Sequence, residues 1–347
     1  MQKSSWIYIF SILAASFWSC EESTPSSPKA SGRYQTGVWI TNEGNFLSGD
    51  GSVSFFHTDS NRIENEVFNA VNGRHLGDVV QSMTLTDAGK GYIVVNNSKK
   101  IEVINALTGV SEGVIQGFAS PRYMVTVGQK AYVSDLYADK IWVVNLDNLQ
   151  IIKNIPVSGW TEKLALVNGK VYVASRRTDF DTRTGGNLIL EINPNTDTVT
   201  DSLSIGKGSG ELVADAQNRL WTFSLKNGNT APALLCLKTQ PLQLLSQTSL
   251  ASDAAPTVLT IKDNSLYFLG KNGVYKTNTQ NIAVQDFISQ KKYLFYGLGV
   301  SPTDGKIYVS DAIDYQQQGY VFRYSPEGAK LDSFRVGKIP SSFTFTR

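Results

Sequence analysis

An aromatic residue that opens a short β-branched run returns at nearly even intervals along most of this chain. Trp39, Tyr92, Tyr132, Tyr172, Trp221, Tyr267 and Tyr308 are spaced 53, 40, 40, 49, 46 and 41 residues apart. The clearest unit lies between Lys130 and Gly169. It holds apolar runs at Ala131–Ser134, Ile141–Leu146, Leu149–Val157 and Leu164–Val167, separated by turn and loop residues. A period of about 40 with four short strands per unit is that of a propeller blade. Ankyrin, tetratricopeptide and leucine-rich repeats have shorter periods and need helical patterns that this sequence does not carry.

The runs also predict how the strands pack. Ile141-Trp142-Val143-Val144 and Val171-Tyr172-Val173-Ala174 are apolar at consecutive positions, as strands covered on both faces are. A two-layer sandwich would alternate apolar and polar. Seven landmarks predict seven blades. Gly37–Asn42 has the character of a second strand with no first strand before it, and Ser341–Arg347 is a lone strand after the last full unit. Pairing the two closes the ring and leaves no open sheet edge. The expected fold is all-β: a single seven-bladed propeller of four-stranded antiparallel blades over residues 35–347, its carboxyl-terminal strand joining the amino-terminal blade.

Apolar residues make up 41% of the chain and charged ones 18%, as in ordinary soluble domains. The net charge of +2, with no Lys/Arg-rich tract, argues against a nucleic-acid partner, which needs a concentrated basic face. Residues 1–19 read as an export signal: Lys3 precedes the apolar stretch Trp6–Phe17, which is shorter than the roughly 20 residues of a membrane span. Cys20 follows Ser19, and the whole resembles a bacterial lipoprotein signal. The resemblance implies lipidation of Cys20 and attachment to a membrane by acyl chains alone. Glu21-Glu22 resembles the surface-export signal of Bacteroidota lipoproteins, which implies an outer-membrane, cell-surface location. A plain cleaved secretion signal is the alternative. Residues 20–34, Ser/Pro-rich at Ser23–Ser31, form the expected flexible tether. Cys236, within an apolar run, is expected to be a small buried hydrophobe, and no disulfide framework is available.

In an up-and-down blade the second-to-third and fourth-to-first connections share one face. The long connections fall there: Asn42–Gly51, Arg176–Gly186, Asp311–Gly319, Asn69–Gln81 and Ser289–Tyr296. Links on the opposite face are tight turns such as Asn168-Gly169 and Asp263-Asn264. Long loops on a rigid scaffold are where binding sits. The candidate ligand-binding residues are Phe46, Arg74, His75, Arg122, Asp135, Tyr137, Trp160, Arg176, Phe180, Tyr296 and Tyr315. Exposed aromatics give rigid contact area with a polar tip; the competing reading is that they cap the blades.

Catalytic and metal constellations are sparse. His57 ends a strand on the opposite face, and His75 alone makes neither a zinc site nor a triad. Asp135, Asp139, Asp179 and Asp181 offer oxygen ligands for calcium without the spacing that fixes a site. Gly206-Lys207-Gly208-Ser209-Gly210 joins two strands, so it is not a phosphate loop. No cofactor or metal is expected.

Tyr132-Val133-Ser134-Asp135 and Tyr308-Val309-Ser310-Asp311 resemble the YVTN family of surface propeller repeats. Leu76–Met83 followed by Gly91–Ser98 is similar to the DUF5074/YncE-like propeller lipoproteins of Bacteroidota. That group includes BtuG-type lipoproteins, which capture cobalamin and pass it to a TonB-dependent outer-membrane transporter. The resemblance implies a monomeric, non-enzymatic capture protein with a corrinoid-like ligand and such a transporter as partner. Two other functions stay open: a scaffold that binds a protein or glycan, and a metal-dependent propeller hydrolase or lactonase with its chemistry in the central channel.

Overall fold

All seven aromatic landmarks lie on the second strand of a blade. The structure, a computed structural model, describes residues 32–176 and 188–346. They form seven four-stranded antiparallel sheets. Blade 1 is assembled from both ends of the chain, with Pro340–Phe345 as its first strand and Gly37–Asn42, Ser52–His57 and Arg62–Glu64 as the others. The first strands of the remaining blades are Val80–Leu85, Pro121–Val127, Trp160–Val167, Val213–Ala214, Leu259–Lys262 and Phe295–Val300. Each first strand touches the next around a complete circuit, and Phe295–Val300 meets Pro340–Phe345. The ring is closed as its strand inventory requires.

Burial falls from the second strand outward, which explains the consecutive apolar runs. Gly37–Asn42 and Ser52–His57 are buried at every position, whereas the outer strand Thr198–Ser204 is exposed at nearly all of its own. The cores lie between blades: Tyr132, Ile141 and Val143 of blade 3 pack on Val171, Val173 and Leu190 of blade 4. Each such fully buried side chain contributes about 1.5–3 kcal/mol. The landmark tyrosines also bond across the blade boundary. Tyr132 donates to Asp197 of blade 4, and Tyr172 donates to the Thr239 carbonyl of blade 5 at 2.8 Å. Cys236 is buried.

Two details depart from the expected boundaries. The connection into blade 2 holds a short helix, Val67–Asn72, whose Val67 and Phe68 are buried against Tyr34, Trp39 and Phe55. Tyr34, placed in the tether, is itself buried, with its ring 5.0 Å from that of Trp39. An apolar ring next to the first strand has more to gain in the core than in a solvated linker. Among the described residues, links at the first-to-second and third-to-fourth positions are turns of two to six residues, and the longer connections share the opposite face.

Candidate functional site

The first strands are irregular where they enter the ring. In five blades the register against the second strand slips: near Asn42 in blade 1, between Val80 and Ser82, between Pro121 and Met124, between Thr161 and Leu164, and between Phe295 and Leu298. In blade 3, Arg122 and Tyr123 thus oppose the single residue Ser134. In blade 4, Glu162 and Lys163 oppose Ala174, and in blade 7, Tyr296 and Gly297 oppose Ser310. A bulge of this kind bends the strand and re-aims its side chains.

In blades 3 and 7 the bulge is tied down by the repeated Tyr-Val-Ser-Asp sequence. The Tyr123 N–H donates to Ser134 Oγ at 3.0 Å, and the Gly297 N–H donates to Ser310 Oγ at 2.7 Å. A Cβ on Gly297 would lie 2.3 Å from the Ser341 carbonyl oxygen, so this close approach of two inner strands requires glycine. The aspartate holds the loops. Asp135 accepts from the N–H groups of Ala119 at 2.9 Å, Ser120 at 2.8 Å and Tyr137 at 3.2 Å, and from the Trp142 indole at 3.0 Å. Asp311 accepts from Leu294 and Ile313, both at 2.9 Å.

The bulged residues converge on a cavity of about 570 Å³ at the mouth of the central channel, to which all seven blades contribute. Its wall is divided. Glu43, Gln81, Arg122, Lys163, Arg176 and Glu211 form a charged arc on blades 1 to 5; Leu225, Pro256, Val258, Phe295, Tyr296 and Tyr315 form an apolar and aromatic arc on blades 5 to 7. Tyr296 and Tyr315 meet edge to face at 5.7 Å. Glu162 lies beneath the charged arc, accepting from Arg122 Nε at 2.9 Å and from Arg176 Nη1 at 3.4 Å.

Electrostatics within the mouth follow from burial in a polar ring. Burial holds the Glu43 carboxyl above its usual range, against the pull of Arg122 and of the Tyr296 hydroxyl, which donates to it at 3.1 Å. Burial raises Glu211 as well, although Lys163 and the Leu259 N–H, at 3.0 Å, act the other way. Burial opposes the charges of Arg122 and Lys163, but their acidic neighbours outweigh it and both are held above their usual values. The Lys163 ammonium stands 4.5 Å over the Tyr123 ring.

Of the residues singled out in the sequence, Arg122, Arg176, Tyr296 and Tyr315 meet at this cavity. Tyr137 and Trp160 form an edge-to-face pair with centroids 5.3 Å apart on the same face. Phe46 is 68% exposed on the loop after the second strand of blade 1. Phe46, Tyr137 and Trp160 lie outside the cavity lining, and so do three further candidates. Asp135 is fully buried, and N–H donors occupy its oxygens, so it is a loop clamp rather than a ligand contact and has no place in a calcium site. Arg74 pairs with buried Glu102 at 2.5 Å and covers Phe68, fastening the short helix to the outer strands of blade 2. His75 is exposed beside it. Phe180, together with Arg177, Asp179, Asp181, Arg183 and Cys20, lies outside the described residues. His57 is buried on the opposite face, 2.8 Å from Glu64.

The sequence reading missed Glu43, Gln81, Tyr123, Glu162, Lys163 and Glu211. A signal for several of them was present: the polar pairs Arg122-Tyr123 and Glu162-Lys163 interrupt otherwise apolar first strands one bulge before the run resumes.

Solved structures share this fold. A functionally unknown protein from Desulfotomaculum acetoxidans is 13% identical, with a TM-score of 0.68 over 90% of this chain and 99% of that one. A candidate 6-phosphogluconolactonase from Bacteroides fragilis is 14% identical, with a TM-score of 0.64 over 90% of this chain and 98% of that one. A quinonprotein alcohol dehydrogenase-like protein from Bacteroides thetaiotaomicron is 16% identical, with a TM-score of 0.64 over 90% and 79%. At these identities the likeness is one of fold alone. A search of curated proteins gives no match. The model of the domain of unknown function DUF5074 matches residues 36–334, and the chain belongs to that family.

Proposed function

We propose that the channel mouth is a binding site for an amphipathic nutrient, and that the protein captures this ligand at the cell surface. In this reading Cys20 carries the lipid anchor, and a TonB-dependent outer-membrane transporter receives the ligand. The observation that carries the proposal is the divided wall, with charged and aromatic arcs facing each other across one cavity. Its volume of about 570 Å³ falls in the range of small-molecule sites, roughly 300–1,000 Å³. A corrinoid is the first candidate on family resemblance. Its macrocycle would lie across the rim on Tyr137, Trp160 and Tyr315, with a polar arm entering the mouth. Titration of the purified protein with cyanocobalamin, followed by calorimetry and the corrin absorption bands, tests this. Saturable binding at micromolar ligand is expected, and its absence would remove the corrinoid.

One observation favours a second reading. Glu43 and Glu211 are carboxyls raised by burial in a cleft that also holds Lys163, an environment that suits a general acid. Lactone hydrolysis that disappears in Glu211→Gln would support an enzyme.

A further inference from the structure

Glu162 already serves Arg122 and Arg176. The remaining charges of the mouth are not paired in this way. Among the described residues, the Lys163 ammonium makes no hydrogen bond or ion pair, and it rests over the Tyr123 ring. Glu211 accepts one backbone N–H through Oε2, which leaves Oε1 for another donor. Among the described residues, the hydrogen bonds to the Glu43 carboxyl come from hydroxyls, those of Tyr296 and Ser341, with Arg122 acting on it through charge alone. Lys163 and Glu211 sit on adjacent blades, joined by a 3.2 Å bond from the Lys163 N–H to the Gly210 carbonyl. Both line the same cavity without closing on each other.

We propose that the ligand group entering this mouth is a zwitterion with an apolar body, of the class of an α-amino acid or a short peptide. The inference rests on the mouth being the ligand site, and not on the corrinoid. The six charged side chains around the mouth are three cations (Arg122, Lys163, Arg176) and three carboxylates (Glu43, Glu162, Glu211). A net anion would meet Lys163 but leave Glu211 and Glu43 uncompensated in a desolvated cleft. A net cation would do the reverse. A dipolar head places its acid on Lys163 and its ammonium on Glu211, so both members of that pair gain a partner while Glu43 keeps its hydroxyl donors and the nearby Arg122 charge. The body then faces Val258, Phe295 and Tyr296 on the apolar arc.

L-Phenylalanine, 3-phenylpropionate and phenethylamine separate the contributions by calorimetric titration of the purified protein. The zwitterion is expected to bind at least about tenfold more tightly than either half, the scale of one charge-assisted hydrogen bond. Lys163→Met should weaken L-phenylalanine and 3-phenylpropionate but spare phenethylamine, and Glu211→Gln should show the opposite selectivity. The dipeptide Gly-Phe is the parallel arm: tighter binding with the same variant pattern supports the proposal and makes peptides the source. Equal affinity for the three analogues, or no binding of L-phenylalanine or Gly-Phe at millimolar concentration, overturns it. The analogue comparison needs no variant, so a misfolded mutant cannot obscure the result. Cyanocobalamin binding that Arg122→Ala weakens, without any zwitterion preference, would sink this inference and leave the mouth as the ligand site. Binding of neither ligand, or zwitterion binding indifferent to both Lys163→Met and Glu211→Gln, would sink both.

Discussion

The backbone N–H of Tyr123 donates to the Ser134 hydroxyl at 3.0 Å, and this bond joins the fold to the site. Ser134 is fully buried on the second strand of blade 3. Its hydroxyl satisfies the extra residue of a bulge that turns Arg122 and Tyr123 toward the channel mouth. Ser134→Ala leaves that N–H without its acceptor, and we expect a loss of about 1–3 kcal/mol. Urea unfolding gives the loss, and ligand titration of the folded variant should show weaker binding. An unchanged midpoint would mean that the bulge holds without its serine.

Asp135 stands one residue further on, and its role is mechanical. It joins the loop that enters blade 3 to the loop that leaves the second strand, through three N–H groups and the Trp142 indole. Asp135→Ala leaves buried donors unpaired and is expected to cost about 3 kcal/mol or more. Asp135→Asn, which keeps one acceptor oxygen, should recover part of this. A thermal melt of the two variants checks the order, and equal losses would reject the clamp.

These two residues mark how far the sequence can be read. The Tyr-Val-Ser-Asp repeats show a buried second strand, and their spacing gives blade number and ring closure. Period and apolarity are local properties that survive without knowledge of neighbours. Chemistry at the mouth is not local. Glu43, Glu162 and Glu211 are 119 and 49 residues apart in order along the chain, and only the ring brings them together. Asp135 shows the converse: an acid in a loop-flanking position looks like a ligand group until its hydrogen bonds are traced. Arg122 and Lys163 both lie inside first strands, but Lys163 directly precedes the apolar run Leu164–Val167 and so reads as the end of a loop.

Closure depends on contacts that span the whole sequence. Thr41 Oγ1 lies 2.7 Å from Ser342 Oγ, and Phe343 and Phe345 pack on Tyr308 with centroids at 5.8 and 5.3 Å. Removing residues 340–347 exposes an edge on Gly37–Asn42 and strips two aromatic rings from the joint between blades 1 and 7. Each ring contributes up to about 1.5–3 kcal/mol. The expected outcome is loss of the single cooperative melt followed by circular dichroism. A truncated chain that melts at the same temperature as the whole would show that the last strand is dispensable.

Glu43 should leave a signature in the pH dependence of stability. Burial raises its folded pKa above the ordinary 4.5, so the folded state binds this proton more tightly than the unfolded chain. Its stabilising contribution is therefore full below the ordinary value and is lost as pH rises through the folded one. Glu43→Gln removes the titration. Relative to the natural protein, the variant should gain stability progressively as pH rises from the ordinary carboxyl range through the raised folded value, read as the difference between the two melting temperatures. A difference that stays flat, or shrinks with rising pH, contradicts the raised carboxyl.

The rim can be tested apart from the charged floor. Tyr137 is 60% exposed and meets Trp160 edge to face, so its ring adds little to the core and is free to touch a ligand. Tyr137→Ala and Trp160→Ala should each weaken binding at the mouth by more than about 1 kcal/mol, as anchoring aromatics do. Asn148→Ala, in a third-to-fourth turn on the opposite face, is the matched control and should leave affinity unchanged. The comparison holds for whichever ligand the mouth takes, because it asks only which end of the ring is occupied. Equal weakening by the rim and control variants would move the site away from this face.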